Sequence, residues 1–215
     1  MTPCGQNTLI GRDWRQTRIA HIVAVIATVM VLSALAAPQL REEEREKFVS
    51  RERIAQDFGG GGGGRPSPDA VCPPNYVAIG FHVQTGEFFN QAWLDCATVR
   101  PNRTLGDEIL MTERTGSPGG RPVFDAMCPR GFALRGLRGR TGASIDEAAG
   151  VCSPPREIIE RPDPRTEMTQ PVMRPHAGGH PSEAECPPGA VVTGFRSMSG
   201  EYMDHLWVLC SELRR

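Results

Sequence analysis

Residues 186–210 read CPPGAVVTGFRSMSGEYMDHLWVLC, and the same pattern occurs twice more in the chain. Residues 72–96 read CPPNYVAIGFHVQTGEFFNQAWLDC, and residues 128–152 read CPRGFALRGLRGRTGASIDEAAGVC. In each copy the two cysteines are 24 residues apart. A proline follows the first cysteine, and glycines stand eight and fourteen residues after it. A pattern that returns at fixed spacing marks repeated supersecondary units, so the sequence predicts three copies of one structural unit.

Each copy reads as a β-hairpin. Apolar residues dominate the first half, as in residues 77–81 and 191–195, and the turn contains a glycine, which tolerates positive φ. Because the ends of a hairpin lie side by side, the two cysteines of one copy are expected to meet, and the threefold repetition selects this pairing. The predicted disulfides are Cys72–Cys96, Cys128–Cys152 and Cys186–Cys210.

The N-terminal segment predicts export. Residues 1–18 carry three arginines, and residues 19–37 are uncharged and apolar over about the length that a helix needs to cross a bilayer. Two interpretations stay open: a transmembrane helix with a cytoplasmic N-terminus, or a signal peptide that is removed. The first places the C-terminal domain on the periplasmic or extracellular side of a bacterial inner membrane, and the second predicts a secreted protein. Both place the cysteines in an oxidising compartment.

Three further segments follow the apolar stretch. Residues 38–58 are rich in charges of both signs and predict a juxtamembrane helix. Residues 59–68 contain six consecutive glycines and two prolines, which are typical of a flexible linker. Residues 69–215 then form the predicted extracytoplasmic domain. Its connecting stretches 97–127 and 153–185 are expected to add one or two strands to each sheet, as a Greek key requires.

The composition excludes several classes of protein. Aromatic residues make up 6% of the 215-residue chain, which also has 24 glycines and 19 prolines, so a helical bundle is not expected. The net charge of -1 provides no cationic field for nucleic acid. The sequence contains no zinc-ligand spacing, phosphate-binding loop or nucleophile elbow. It therefore predicts a protein that is not an enzyme and that has no cofactor, no bound metal and no nucleic-acid partner.

A family resemblance adds an architecture to this mainly β prediction. A glycine pair, the C-P-x-G and G-F steps, the glycine turn, an acidic residue and the closing cysteine resemble the repeat of vitelline membrane outer layer proteins. The third copy matches best, and the resemblance covers about residues 63–215. It implies a β-prism of three Greek-key sheets around a pseudo-threefold axis, as in jacalin-type lectins.

The resemblance also indicates candidate ligand-binding residues. In jacalin-type lectins a G-x-x-x-D loop binds sugar, and two such strings occur here, from Gly142 to Asp146 and from Gly200 to Asp204. Tyr202, inside the second string, is placed to stack on a sugar ring. The alternative is that both aspartates brace their own turns through hydrogen bonds to the backbone.

A cluster of arginines in the second copy is a candidate docking surface. The cluster either binds an acidic partner or anionic headgroups, or forms a solvated edge that resists strand pairing. Its members are Arg130, Arg135, Arg138 and Arg140.

The sequence favours a non-enzymatic, membrane-anchored module outside the cytoplasm. The main hypothesis is an accessory subunit of a larger bacterial membrane complex of respiratory or photosynthetic type, with the other subunits as its partners. The alternative is a secreted or anchored lectin-like protein that binds glycans or the cell wall.

Overall fold

The computed structural model describes residues 48–173 and 178–214. These residues form fifteen strands and one short helix, α1 (Pro155–Glu160). In chain order the strands are β1 (Ile54–Gly60), β2 (Arg65–Pro66), β3 (Ala70–Val71), β4 (Tyr76–Thr85), β5 (Phe89–Val99), β6 (Leu105–Met111), β7 (Thr115–Gly116), β8 (Val123–Met127), β9 (Ala133–Thr141), β10 (Ile145–Ser153), β11 (Glu167–Met168), β12 (Val172–Met173), β13 (His180–Glu185), β14 (Ala190–Ser199) and β15 (Met203–Glu212).

Each sequence repeat supplies the central hairpin of one antiparallel sheet. Sheet A has the strand order β6-β5-β4-β8, with β7 also paired to β5. Sheet B has the order β11-β10-β9-β13, with β12 also paired to β10. Sheet C has the order β1-β15-β14-β2, with β3 also paired to β14. The prediction of a mainly β domain with three equivalent hairpins is confirmed.

The outer strands of each sheet come from the stretches between repeats. In sheet A, β6 and β7 pair with the second hairpin strand, and β8 returns to pair with the first. The strands β11, β12 and β13 do the same in sheet B. In sheet C these places are taken by β1, β2 and β3, which precede the first repeat. The fold is therefore closed by the segment before the first cysteine.

The predicted helix over residues 38–58 is wrong where the structure describes it. Val49 forms a β-bridge with Leu213, and strand β1 pairs antiparallel with β15. The physical reason is that β15 needs hydrogen-bond partners along its second edge. Strand β1 provides them and buries Phe58 completely.

The predicted linker over residues 59–68 is also wrong, because this segment belongs to sheet C. It contains the end of β1 and all of β2. The Gly61 N–H donates a hydrogen bond of 2.7 Å to the Asp204 carbonyl. Glycine serves here to let two backbones approach closely, and the domain boundary lies before this segment.

The predicted membrane segment lies outside the described residues. Residues 1–18, 19–37 and 38–47 belong to this part of the chain, so their predicted roles stay predictions. Within residues 48–173 and 178–214, no helix has the length and apolar character needed to span a bilayer.

The three predicted disulfides are confirmed, and each fastens two neighbouring sheets. They are Cys72–Cys96, Cys128–Cys152 and Cys186–Cys210, with Cα atoms 5.8, 5.7 and 5.5 Å apart. The second cysteine of each pair lies in the hairpin of its own sheet. The backbone N–H of the first cysteine instead donates to a carbonyl of the preceding sheet, and those acceptors are Thr193, Ile79 and Arg135. Each bridge thus holds the chain where it crosses between sheets.

The inner faces of the sheets share one core. Phe81 of sheet A and Phe195 of sheet C pack edge to face, with ring centroids 5.9 Å apart. Leu134 and Leu137 of sheet B are fully buried in the same cluster. An aromatic pair of this kind contributes about 1 kcal/mol beyond the area it buries. The shared core determines the relative positions of the hairpins, and therefore of their turns.

Contacts between acidic and basic side chains of the same sheet explain why an acidic residue recurs three positions before each first cysteine. This residue lies opposite a basic side chain on the first hairpin strand of the sheet that it completes. The hydrogen bonds that Arg196 donates to Asp69 raise the pKa of the guanidinium. The three pairs are His82–Asp125 (Nδ1–Oδ1 2.6 Å), Arg138–Glu183 (Nε–Oε2 3.3 Å) and Arg196–Asp69 (Nη2–Oδ2 2.8 Å).

The substitution Asp69→Asn is expected to lower the free energy of unfolding by less than about 1 kcal/mol. The reason is exposure, since the Arg196 side chain is 52% exposed and water screens the pair. Urea denaturation of the two proteins measures the difference. A loss of several kcal/mol would show that this ion pair, rather than the pairing of β1, closes sheet C.

Candidate functional site

The three hairpin turns have the same geometry, and two of them are in contact. Turn A comprises residues 86–88, turn B residues 142–144 and turn C residues 200–202. In each turn the N–H of the first residue donates to the carbonyl of the third at 2.9–3.0 Å. Phe88 of turn A stacks on Tyr202 of turn C, with ring centroids 4.3 Å apart and planes inclined by 19°. The packing of the sheets thus brings the first and third repeats together at this end.

A glycine pair from an outer segment packs against each turn. Residues 119–120 meet turn A, residues 178–179 meet turn B, and residues 63–64 meet turn C. The second glycine of each pair has a φ of +78°, +69° and +77° respectively, a region that favours glycine. A Cβ on that glycine would lie 2.4–2.5 Å from a side-chain oxygen just beyond the turn. Those oxygens are Asn90 Oδ1, Asp146 Oδ2 and Asp204 Oδ2.

The two aspartates of the predicted sugar-binding strings lie close to their own turns. Asp204 Oδ2 accepts a hydrogen bond of 2.7 Å from the Gly200 backbone N–H. Asp146 is only 1% exposed, and its Oδ2 lies 3.5 Å from the position of a Cβ on Gly142. These contacts favour the turn-bracing alternative. Sugar binding by these four residues and Tyr202 stays a prediction.

Turn B is in contact with other segments of the same chain. The Arg140 guanidinium donates to the Gly178 carbonyl at 2.8 Å and to the Gly179 carbonyl at 2.7 Å. The glycine run also passes over this turn, since a Cβ on Gly61 would lie 2.3 Å from the Ala143 carbonyl oxygen. These contacts leave little room for a ligand at turn B.

A cavity of about 430 Å³ opens beside turn A. The second glycine of the pair 119–120 forms part of its wall. The other lining side chains come from two repeats, with Glu201 and Tyr202 contributed by turn C. From the first repeat the cavity is lined by Gly86, Glu87, Phe88 and Asn90.

This cavity offers groups that suit a polyhydroxylated ligand. The Asn90 carboxamide makes no side-chain hydrogen bond with any described residue, so it is available both to donate and to accept. The exposed carboxylates of Glu87 and Glu201 accept hydrogen bonds from hydroxyl groups. The stacked rings of Phe88 and Tyr202 add apolar surface against which C–H groups of a sugar ring can pack. The arrangement combines polar orientation with an apolar platform.

Turn A does not match the G-x-x-x-D pattern, because the string in the first copy does not end in an aspartate. Asn90 occupies that position in the first copy. The proximity of Tyr202 to Phe88 was not accessible either, because the two residues belong to different repeats. The glycine pair 119–120 was the available signal, since equivalent pairs precede the other repeats.

The arginines of the second copy have partners within sheet B. Arg135 forms an ion pair with Glu185, and Arg138 Nη2 lies 2.6 Å from Glu185 Oε1. Burial lowers the pKa of Arg138, but the charges of Glu185 and Glu183 outweigh this effect and raise it. Arg130 is exposed. Docking of an acidic partner by the four predicted arginines stays a prediction.

The described residues also bear on metal binding. Among them, no group of three or more His, Cys, Asp or Glu side chains is placed to hold a metal ion. The expectation that the protein has no cofactor stays a prediction.

Several solved structures resemble this domain, and they are lectins. Artocarpin in complex with mannopentose has 11% sequence identity and a TM-score of 0.50, and the match covers 75% of this chain and 99% of that chain. Artocarpin complexed with methyl-α-mannose has 13% identity and a TM-score of 0.50, with 75% and 99% covered. A mannose-binding jacalin-related lectin from Ananas comosus has 13% identity and a TM-score of 0.47, with 74% and 96% covered.

These similarities concern the fold. No family model and no curated protein matches the sequence, so the resemblance to vitelline membrane outer layer proteins is not supported by a family match. The three sheets, the threefold arrangement of hairpins and the structural matches agree with one another. The chain has the β-prism fold of jacalin-related lectins.

Proposed function

We propose that this protein is a non-enzymatic carbohydrate-binding protein and that the cavity beside turn A is its sugar site. The observation that carries the proposal is the composition of this cavity. An available carboxamide, two exposed carboxylates and a pair of stacked rings converge on a space of about 430 Å³. That volume lies within the range of small-ligand sites.

A neutral sugar fits this lining better than an anionic one. The two charged side chains among the described residues that line the cavity are Glu87 and Glu201, and both carry negative charge at neutral pH. An acidic sugar would meet like charge there, whereas hydroxyl groups can donate to these carboxylates. Artocarpin, which shares the fold, was solved with mannopentose and with methyl-α-mannose. Mannose and its oligomers are therefore the first ligands to test.

We also propose that the protein acts outside the cytoplasm, either anchored by residues 19–37 or secreted. In the domain, the turns and the residue at which the N-terminal segment joins lie at opposite ends of the sheets. Phe48 lies at the end of the sheets opposite the turns, where its N–H donates to Asn75 Oδ1 at 2.9 Å and its carbonyl accepts from Arg214 N–H at 2.8 Å. A strand of ten residues, such as β4, spans about 33 Å. The sugar site thus faces away from the point where the preceding segment joins.

The role of an accessory subunit of a membrane complex, which the sequence suggested, is less well supported than carbohydrate binding. None of the similar solved structures reported above is a component of a respiratory or photosynthetic complex. Glycan binding has a cavity to support it, and it becomes the main proposal.

Replacing Asn90 or Tyr202 by alanine is expected to weaken sugar binding about tenfold or more, because each removes a contact with the bound ring. The measurement is titration calorimetry of the full-length protein with mannose oligomers, in a detergent without a sugar headgroup. Ligands are first identified on a glycan array with the unsubstituted protein.

Two matched variants serve as controls. Tyr202→Phe keeps the ring and should keep the affinity, and Asn102→Ala removes an exposed amide from a loop remote from turn A. Absence of binding to every glycan would contradict the proposed function. Binding that survives Asn90→Ala and Tyr202→Ala but is lost in Asp204→Ala would place the site at turn C instead.

A further inference from the structure

A second cavity, of about 330 Å³, lies at the end of the domain opposite the hairpin turns. It is bounded by the segment that precedes β1, by the turn that follows Cys72, and by sheet C. No acidic residue is among the described residues that line it. The residues with polar side chains that line it are Ser50, Arg51, Arg53, Asn75, Tyr76, Thr193 and Ser211. The Tyr76 hydroxyl itself donates to Glu108 Oε2 at 3.0 Å, and Glu108 is not a lining residue.

The two arginines are the notable feature of this cavity. Neither Arg51 nor Arg53 forms an ion pair with any described residue, and both are exposed. Two guanidinium groups directed to one concave site repel each other unless an anion lies between them. Arginine is also the side chain best suited to phosphate, because its planar fork donates two parallel hydrogen bonds.

The wall of the cavity is polar and well ordered by hydrogen bonding. Thr193 Oγ1 and Ser211 Oγ lie 2.8 Å apart on neighbouring strands of sheet C. Both residues are almost completely buried, with exposures of 2% and 1%. One proton of this hydroxyl pair is used between the two oxygens, and the Leu209 carbonyl is a further acceptor for Thr193 at 3.4 Å. The pair therefore offers at most one hydrogen bond to an anion held by the arginines.

The pseudo-threefold symmetry provides an internal comparison. Sheet A has the equivalent groove, with a volume of about 600 Å³, next to the turn that follows Cys128. There the places of Thr193, Ser211 and Arg53 are taken by apolar residues. Those residues are Ile79, Ala97 and Ile109.

In sheet B, the position equivalent to Thr193 of sheet C is occupied by a charged residue. Its residue seven positions after the first cysteine is Arg135, whose guanidinium is neutralised by Glu185. The sheet A groove is also lined by Arg100 and Arg130, but it contains the carboxylate of Asp107, which pairs with Arg100. The cavity at sheet C has two lining arginines and no lining carboxylate. Because the backbone framework is shared, the difference reflects the side chains of this cavity and not a requirement of the fold.

We infer that this cavity binds a phosphate group, with Arg51 and Arg53 as its principal ligands. The phosphate belongs either to a free phosphate ion or to the headgroup of an anionic lipid. This inference does not depend on the proposed sugar site, which lies at the other end of the sheets.

The test uses the full-length protein in micelles of an uncharged polyoxyethylene detergent at low ionic strength. Calorimetric titrations are made with inorganic phosphate and, separately, with a short-chain phosphatidylglycerol. The double variant Arg51→Gln/Arg53→Gln should bind at least about tenfold more weakly, because it loses the charge-assisted hydrogen bonds. The matched control, Arg65→Gln, removes an exposed arginine beside Ser199 at the turn end of sheet C and should bind as the unsubstituted protein does.

Each outcome distinguishes between the alternatives. Equal affinity for the ion and the lipid identifies a site for free phosphate, and a preference for the lipid identifies a headgroup site. Absence of saturable binding by either probe would overturn the inference. So would equal affinity in the double variant and the unsubstituted protein, provided that thermal melting shows both to be folded.

Discussion

A fragment of residues 69–215 is expected to be unfolded, whereas a fragment of residues 48–215 should fold. The shorter fragment starts at the domain boundary that the sequence predicted and retains all three repeats and disulfides. It lacks β1 and β2, so β15 loses its neighbour, and the core loses Phe58, whose side chain is completely buried. Losing one buried phenylalanine alone costs about 3–5 kcal/mol, a large share of the stability of a typical domain.

Circular dichroism and urea denaturation compare the two fragments after oxidative refolding. The longer fragment controls for the loss of residues 1–47. A cooperative urea transition of residues 69–215 with the stability of the longer fragment would contradict the role of the N-terminal strands in sheet C. In that case the glycine-rich segment would be a linker after all.

The substitution Gly60→Ala is expected to lower the free energy of unfolding by about 3 kcal/mol or more. Gly60 has a φ of +121°, a conformation that is strained for alanine. The added Cβ would lie 2.1 Å from the Asp204 carbonyl oxygen, which is part of the backbone of β15 and cannot move away alone. Urea denaturation measures the difference in unfolding free energy.

Gly62→Ala is the matched control in the same glycine run. No atom lies within 4 Å of a Cβ at that position, so the change in stability should be within about 0.5 kcal/mol. If both substitutions were equally harmless, the run would behave as a flexible tether. A large loss at Gly60 and none at Gly62 would show that the glycines are selected by contact with sheet C.

The hairpins and disulfides were predictable because the information that specifies them is local. Strands β4 and β14 carry dense apolar runs, and each is followed after a short glycine turn by its partner strand. Residues that are close in sequence pair first with each other, so periodicity and spacing suffice. The repetition of this unit then selected the disulfide pairing that the structure has.

The outer strands were not predictable, because their own sequences favour other structures. Strand β1 reads IAQDFGG and follows a segment of mixed charge that is typical of a solvated helix. Strand β13 reads HPSEAE, with a proline and two glutamates that are disfavoured in strands. Both are strands because the edge of a hairpin supplies hydrogen-bond partners and a place for one buried side chain.

Part of the candidate sugar site was likewise predictable from the sequence, and part of it was not. The sequence shows two recurring features of this site: the glycine pairs, and the polar residue two positions after each turn (Asn90, Asp146 and Asp204). The stacking of Phe88 on Tyr202 was not predictable, and neither were the hydrogen bonds from the Arg140 guanidinium to the carbonyls of Gly178 and Gly179. These contacts join different repeats or different outer segments, and no local spacing encodes them.

The sequence by itself determined that the protein contains three disulfide-linked β-hairpins of one design, because spacing and apolar patterning act within each repeat. Only the tertiary structure decided that the N-terminal glycine-rich segment completes sheet C and that turns A and C share a cavity. The physical reason is that strand edges are satisfied, and turns are brought together, by the packing of three sheets on a common core. That packing joins residues far apart in the chain.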